Sequence, residues 1–117
     1  SRKEMAFKYS QISSELASQG FCVITSVIGM FEDIYTWNRK NLPGYFEVFL
    51  DIPLKILKKR DNKGIYKKFE MGKIQNVAGL DLEIQKPTKP NLHIKENSEV
   101  DITMINSFVI ETMFKNQ

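Results

Sequence analysis

The densest group of chemically capable side chains is KKRDNKGIYKK at residues 58–68, which holds six cations, one carboxylate and one glycine. Lysine and arginine donate charged hydrogen bonds to phosphate oxygens, and a glycine lets a ligand approach the backbone closely. The run therefore fits a lid over phosphates. It also fits a solvated helix face, or a nucleic-acid patch, although no known nucleic-acid motif accompanies it. Charge alone leaves these three interpretations open.

Other catalytic motifs do not occur in the sequence. It contains neither G-x-x-x-x-G-K-[ST] nor G-x-G-x-x-G. The one histidine, His93, lies in an apolar segment and is interpreted as a structural residue with a hydrogen-bond partner. One cysteine and one histidine provide neither a metal-ligand cluster nor an obvious nucleophile pair, so no metal site is predicted. Cys22 is predicted to be a buried, reduced thiol of a cytoplasmic protein.

Length and charge limit the remaining choices. A chain of 117 residues is expected to form one domain, 1–117, with a hydrophobic core. A net charge of +3 weakly favours anionic partners and does not by itself indicate a nucleic-acid polymer. No apolar run approaches the ~20 residues of a membrane span, and residues 1–8 lack a signal-peptide pattern, so no membrane association is expected.

Apolar spacing and turn residues predict alternating helices and strands. The predicted helices are Arg2–Gln19, Phe31–Lys40, a helix opened by Pro53, Ile65–Met71, and Val100–Lys115 capped by Ser98 or Asn97. The predicted strands are FCVITSVI (21–28), buried on both faces, YFEVFLD (45–51) and LHI (92–94). This alternation predicts an α/β domain with a mostly parallel sheet.

The segment YFEVFLDIPLKILKKRDNKGIYKKFEMGKIQNVAGLD, followed by P-x-x-P at 87–90, resembles the second half of adenylylsulfate (APS) kinases. Those enzymes carry an EVFVD-type strand, an R-D-x-K-G-[LI]-Y-K-K segment, an F-T-G-I-D-like loop and paired prolines. Upstream, FCVITSVI is similar to the family's V-V-I-T-S-x-I strand, and Arg2-Lys3-Glu4 is similar to its D-R-x-E-N helix start. The resemblance covers nearly the whole chain.

The resemblance implies a three-layer phosphate-loop kinase fold that transfers the γ-phosphoryl group of MgATP to the 3'-hydroxyl of a nucleotide. The family's phosphate loop, its strand and its D-G-D segment precede the stretch that matches this chain. We therefore expect the C-terminal two-thirds of such a kinase, with no catalytic residue of its own and no activity alone. The family's cytoplasmic location, small nucleotide substrates, frequent homodimers and role in sulfate assimilation are expectations on the same ground.

On the ATP side, the resemblance implies that Arg60 packs against the adenine, with Asp61 beside it. The competing interpretation pairs these two residues in a salt bridge at a helix end. A lid at about 61–82 would close over both nucleotides, with Lys63 and Gly64 reaching the acceptor.

On the acceptor side, the resemblance implies binding by pairs of residues from three segments. These are Arg2 and Met5, Ile28 and Gly29, and Val77 and Ala78. Several of these positions depart from the family pattern: Met5 replaces an asparagine, Gly29 a serine and Met30 a proline. Val77 replaces the phenylalanine that stacks on the acceptor's adenine, and loss of such a platform removes about 1–3 kcal/mol of stacking.

These departures indicate an altered acceptor, for which cytidine diphosphoramidate in capsular or other surface-polysaccharide biosynthesis is one candidate. Trp37 is either a substitute stacking platform or an ordinary packing residue. The alternative from another class is a non-catalytic module that binds nucleotides or partners only.

Overall fold

The computed structural model describes residues 1–96 and 102–114, which form five helices and a two-stranded sheet. In chain order the elements are α1 (Arg2–Ser18), α2 (Glu32–Asn41), β1 (Val48–Asp51), α3 (Leu54–Arg60), α4 (Ile65–Glu70), β2 (Leu92–Lys95) and α5 (Ile102–Phe114). All five predicted helices are confirmed. The predicted ends that lie among the described residues shift by at most one residue, and the predicted ends of the last helix, Val100 and Lys115, lie outside the described residues. The proposed caps of the last helix, Asn97 and Ser98, lie outside the described residues.

Local signals account for the helix ends. α1 begins with a capping box, in which the Ser1 hydroxyl accepts from the Glu4 amide and the Glu4 carboxylate accepts from the backbone nitrogen of Ser1. It ends near Gly20, whose φ of +93° requires the left-handed backbone that glycine adopts without strain. α3 follows Pro53, as predicted.

The sheet is parallel, as the alternation of elements predicted. β1 and β2 pair in a register that runs from Val48 opposite Leu92 to Asp51 opposite Lys95. The strand residues Phe49 and Ile94 are buried. Both carboxyl ends therefore meet at one edge of the sheet, which is the edge where α/β folds place their ligands.

The prediction of a doubly buried strand at 21–28 is wrong. The structure assigns no strand there, and Ile24 is 93% exposed. A strand exists only when a neighbour accepts and donates its backbone hydrogen bonds. Among residues 1–96 and 102–114 the sheet contains only β1 and β2, and neither pairs with this segment. The prediction for Cys22 fails with it, because the thiol is exposed.

The core is thinner than the chain length led us to expect. Its buried apolar residues are Ala6, Ile34, Tyr35, Phe49, Val77 and Ile94. The radius of gyration is 16.2 Å, against about 13 Å for a compact chain of this length. The exposure of the apolar 21–28 segment accounts for much of the missing core.

A buried polar cluster joins the end of α2 to the residues that lead into β1. Glu47 is only 6% exposed. Its carboxylate accepts from the Arg39 guanidinium at 2.8 Å and from the Tyr45 hydroxyl at 2.7 Å. The Glu47 amide donates to the Asn91 side chain at 2.8 Å, which connects the cluster to the start of β2. The cluster therefore fixes α2 relative to the sheet.

His93 has a partner, as expected of a structural histidine, although it lies at the surface. Its Nε2 atom is 2.8 Å from an oxygen of Asp51, and its ring stacks on Phe49 with centroids 5.1 Å apart. The hydrogen bond from His93, assisted by nearby Lys86, holds the pKa of Asp51 below its usual value.

Tyr35 makes the free energy of unfolding depend on pH in the alkaline range. Its hydroxyl donates to the Gln85 carbonyl oxygen at 2.7 Å. Burial, reinforced by the charges of Glu47 and Glu32, raises its pKa from 10.0 to about 12. Because the pKa is higher in the folded chain than in the unfolded chain, this stabilisation is complete below pH 10 and is lost as the pH rises through about 12.

We therefore expect Tyr35→Phe to lower the free energy of unfolding at pH 8, with a deficit that shrinks between pH 10 and 12. Urea denaturation at a series of pH values measures this deficit. The matched control is Tyr9→Phe, which removes the hydroxyl of an exposed ring. A deficit that stays constant across the pH range would contradict the assignment.

Candidate nucleotide-binding site

A cleft of about 420 Å³ lies between three segments of the chain. One wall is the first turn of α1, at residues 1–3. A second wall is residues 28–31, which lead into α2. The third is the loop at residues 76–84. The three walls are far apart in sequence, so the cleft exists only because tertiary contacts hold them together.

Cationic groups stand at the α1 wall. Arg2 lines the cleft, and one guanidinium N–H group donates to the Asn76 carbonyl oxygen across it. The guanidinium is a planar fork of several donors, so it can contact an anionic ligand while it holds this carbonyl. Lys3 also lines the cleft and forms an ion pair with Asp33 in the first turn of α2. The α1 wall is therefore suited to a ligand with negative charge.

A tight turn shapes the opposite wall. Asn76 adopts φ of +62°, and the Asp81 carboxylate accepts from the Asn76 amide at 2.8 Å and the Val77 amide at 2.7 Å. These backbone hydrogen bonds hold the pKa of Asp81 below its usual range, with a smaller contribution from Arg2. The turn places Val77 in the core and Ala78 at the cleft.

The basic run lies outside this cleft. Arg60 is the last residue of α3 and is exposed. The Asp61 carboxylate accepts from the Tyr66 amide at 3.1 Å and the Lys67 amide at 3.0 Å. Asp61 thus caps the first turn of α4, and the proposed salt bridge with Arg60 is wrong. Gly64, with φ of +65°, provides the left-handed turn that starts α4.

The sequence profile described as adenylylsulphate kinase matches residues 1–95. The chain belongs to the adenylylsulphate kinase family. It is 41% identical over 86 residues to the cytidine diphosphoramidate kinase of Campylobacter jejuni, which covers 74% of this chain and 51% of that protein. It is 31% identical over 109 residues to the adenylyl-sulfate kinase of Clostridium acetobutylicum, which covers 92% of this chain and 54% of that protein.

A solved structure supports the same family. The APS kinase of Mycobacterium tuberculosis, in complex with AMPPNP and APS, matches with a TM-score of 0.77 and 29% sequence identity. The match covers 91% of this chain and 64% of that one. The predicted phosphate-loop kinase fold is confirmed, and the chain spans about half the length of the curated relatives that it matches.

The structure brings together some of the acceptor residues that the family pattern implied. Arg2, Ile28 and Ala78 line the cleft. Val77 does not, because its side chain is buried with an exposure of 9%. Gly29 permits a close approach to α1, since an added Cβ would lie 3.3 Å from the Cβ of Ala6.

Three other predicted acceptor residues lie outside the lining of the cleft. Met5 lies on α1 and is 48% exposed. Lys63 and Gly64 belong to the turn before α4, and the structure does not bring them to the cleft. Their roles stay predictions.

Several side chains that line the cleft were not named as site residues in the sequence analysis, among them Phe31 and Glu83. Phe31 directly follows Met30, and Glu83 lies two residues after Asp81, the end of the NVAGLD segment, so proximity to the family motifs was the available signal. Trp37, the substitute platform considered from sequence, instead meets Phe7 edge-on with ring centroids 6.4 Å apart. The packing interpretation of Trp37 therefore fits the structure, and Phe31 provides an aromatic ring among the described residues that line the cleft.

Metal binding and membrane insertion find no support in the described ranges. Within residues 1–96 and 102–114, no group of three or more His, Cys, Asp or Glu side chains is placed to hold a metal ion. In the same part of the chain, no helix is both long and apolar enough to cross a membrane.

Proposed function

We propose that this chain supplies the acceptor side of an ATP-dependent kinase that phosphorylates the 3'-hydroxyl of a small nucleotide. We further propose that cytidine diphosphoramidate, or a closely related pyrimidine nucleotide, is preferred over adenylylsulfate. The observation that carries this proposal is the burial of Val77, whose side chain packs into the core. By the resemblance to the family, this position would hold the phenylalanine that stacks on adenine. The cleft therefore lacks the adenine platform at that position.

The remaining lining fits such an acceptor. The planar guanidinium of Arg2 can donate charged hydrogen bonds to a diphosphate-like group. The Glu83 carboxylate accepts hydrogen bonds from N–H groups, which both cytosine and a phosphoramidate carry, whereas it repels a sulfate. The similarity to a cytidine diphosphoramidate kinase points the same way.

Phosphoryl transfer depends mainly on positioning and on electrostatic stabilisation. Bound MgATP would supply the phosphoryl group. The guanidinium of Arg60 is exposed, and the Asp61 carboxylate binds the Tyr66 amide instead of Arg60. Arg60 is therefore available to stack on the adenine of ATP. We assign no Mg²⁺ ligand to the described residues.

Residues 61–82 are proposed to form a lid, in which α4 and its lysines move over the phosphates. A cytoplasmic homodimer remains part of the proposal.

Phe31 is expected to contribute to acceptor binding by contact with the base. Phe31→Leu keeps an apolar side chain but removes the ring, so we expect the KM for the acceptor to rise about 5- to 20-fold, within the ~1–3 kcal/mol range of base stacking. Steady-state kinetics with each nucleotide varied in turn measure this. Phe21→Leu, at an exposed ring outside the cleft, is the control. An unchanged acceptor KM would remove Phe31 from the site.

The function itself is tested on the complete gene product by coupled detection of ADP release. We expect turnover with cytidine diphosphoramidate in the presence of MgATP, and none from residues 1–117 expressed alone, because this stretch contains no phosphate-loop motif. Normal turnover with adenylylsulfate and none with cytidine nucleotides would overturn the acceptor assignment. Nucleotide binding without any ADP release would support the non-catalytic alternative.

A further inference from the structure

Gln85, which follows the 76–84 wall of the cleft, makes three hydrogen bonds to residues 30–35, the segment that joins the 28–31 wall to α2. Its amide donates to the Met30 carbonyl oxygen at 3.0 Å. Its side-chain Oε1 accepts from the Glu32 amide at 2.8 Å. Its carbonyl oxygen accepts from the Tyr35 hydroxyl at 2.7 Å. One residue thus contacts the end of the 28–31 wall and the first turn of α2.

These hydrogen bonds lie immediately beside the cleft. Met30 and Phe31 line one wall, and Glu83 and Ile84, next to Gln85 in the chain, line the other. The separation of the two walls therefore depends on the groups that join them at this point. We propose that Gln85 is a positioning residue that sets the width of the acceptor cleft. This inference rests on the proposed function, because it takes the cleft as the acceptor site.

The side chain and the backbone of Gln85 make different hydrogen bonds, so a side-chain substitution can remove one of them and leave the others. Two of the three hydrogen bonds use the backbone and survive a side-chain substitution. The third uses Oε1 to satisfy the Glu32 amide in the first turn of α2, where helix N–H groups lack partners within the helix. A side-chain variant should therefore keep the fold while it releases the start of α2 and the adjoining Phe31.

Two substitutions isolate the role of Oε1. Gln85→Met keeps the length of the side chain but removes the acceptor. Gln85→Glu keeps an acceptor oxygen, and its charge is favourable at a helix N-terminus. Gln11→Met makes the same chemical change on the exposed surface of α1, away from the cleft, and is the matched control.

Kinetics of the complete gene product give the first readout. In Gln85→Met we expect the KM for the acceptor to rise about 3- to 10-fold, the range set by the loss of one hydrogen bond. The kcat and the KM for ATP should stay within about twofold of wild type, as they should in the control. Gln85→Glu should restore the acceptor KM. A fall in kcat at constant acceptor KM, or a Gln85→Glu variant as impaired as Gln85→Met, would overturn the inference.

Amide hydrogen exchange gives a second readout that needs no turnover. Gln85→Met should speed exchange at the Glu32 amide while the β1 and β2 amides stay protected. Unchanged exchange at Glu32 would overturn the inference even if the enzyme is active. If the wild type phosphorylates no nucleotide, the proposed function fails, and the exchange at Glu32 still decides whether Gln85 holds the two walls together.

Discussion

Arg39→Met is expected to lower the free energy of unfolding by about 3 kcal/mol, at the lower end of the range for breaking a buried ion pair. Glu47 is 6% exposed, and the Arg39 guanidinium is the cation that hydrogen-bonds its carboxylate, at 2.8 Å. After the substitution the carboxylate keeps the Tyr45 hydroxyl but loses the balancing charge. The lower end applies because the side chain of Arg39 is itself 36% exposed.

Urea denaturation of the complete gene product measures the loss. Lys40→Met removes a cation from the next position of α2, where the side chain is exposed, and should change stability by less than about 0.5 kcal/mol. Adding Glu47→Gln to Arg39→Met should recover part of the loss, because the buried position then carries no charge. Equal effects of Arg39→Met and Lys40→Met would show that the cluster does not hold α2 to the sheet.

Arg2→Ala is expected to reduce kcat/KM for the acceptor nucleotide by about 10- to 100-fold, as expected from the loss of a hydrogen bond to a charged group. The guanidinium lines the cleft and donates to the Asn76 carbonyl oxygen on the opposite wall. The substitution therefore removes both a cation for the anionic ligand and a contact that orders the loop. The KM for ATP should change little, because Arg60, the residue assigned to ATP, lies at the end of α3.

Kinetics with each substrate varied separately test this prediction. Arg2→Lys keeps the charge but loses the planar fork, so its effect should be intermediate. Lys8→Ala, at an exposed position on α1 outside the cleft, is the control. A rise in the KM for ATP with an unchanged acceptor KM would show that Arg2 contributes to ATP binding and not to acceptor binding.

Features governed by neighbours in sequence were predictable. α1 has a capping serine and a terminal glycine, and β1 and β2 have apolar runs between turn residues. The absence of a strand at 21–28 was not predictable in the same way, because a strand forms only with a partner strand elsewhere in the sequence. The segment lies within the stretch that matches the family profile, but the two-stranded sheet of the described residues provides no partner strand for it.

The residues of the candidate site also include some that could be identified from the sequence and some that could not. Arg2, Ile28 and Ala78 were implied by the resemblance to the family, and all three line the cleft. The role of Gln85 could not be predicted, because it depends on which amide its side-chain oxygen reaches in the fold. Gln85 contacts Glu32, 53 residues away along the chain. No local pattern encodes a hydrogen bond of that separation.

We propose that this cleft selects a cytidine nucleotide over adenylylsulfate. Direct competition tests it: the complete gene product receives both acceptors at equal concentration with limiting MgATP, and the initial ratio of the two 3'-phosphorylated products is measured. This ratio equals the ratio of the two kcat/KM values. We predict that the cytidine product exceeds the adenylyl product by at least about tenfold, the ratio that corresponds to ~1.4 kcal/mol of lost adenine stacking. An excess of the adenylyl product would contradict the proposed preference for a cytidine nucleotide.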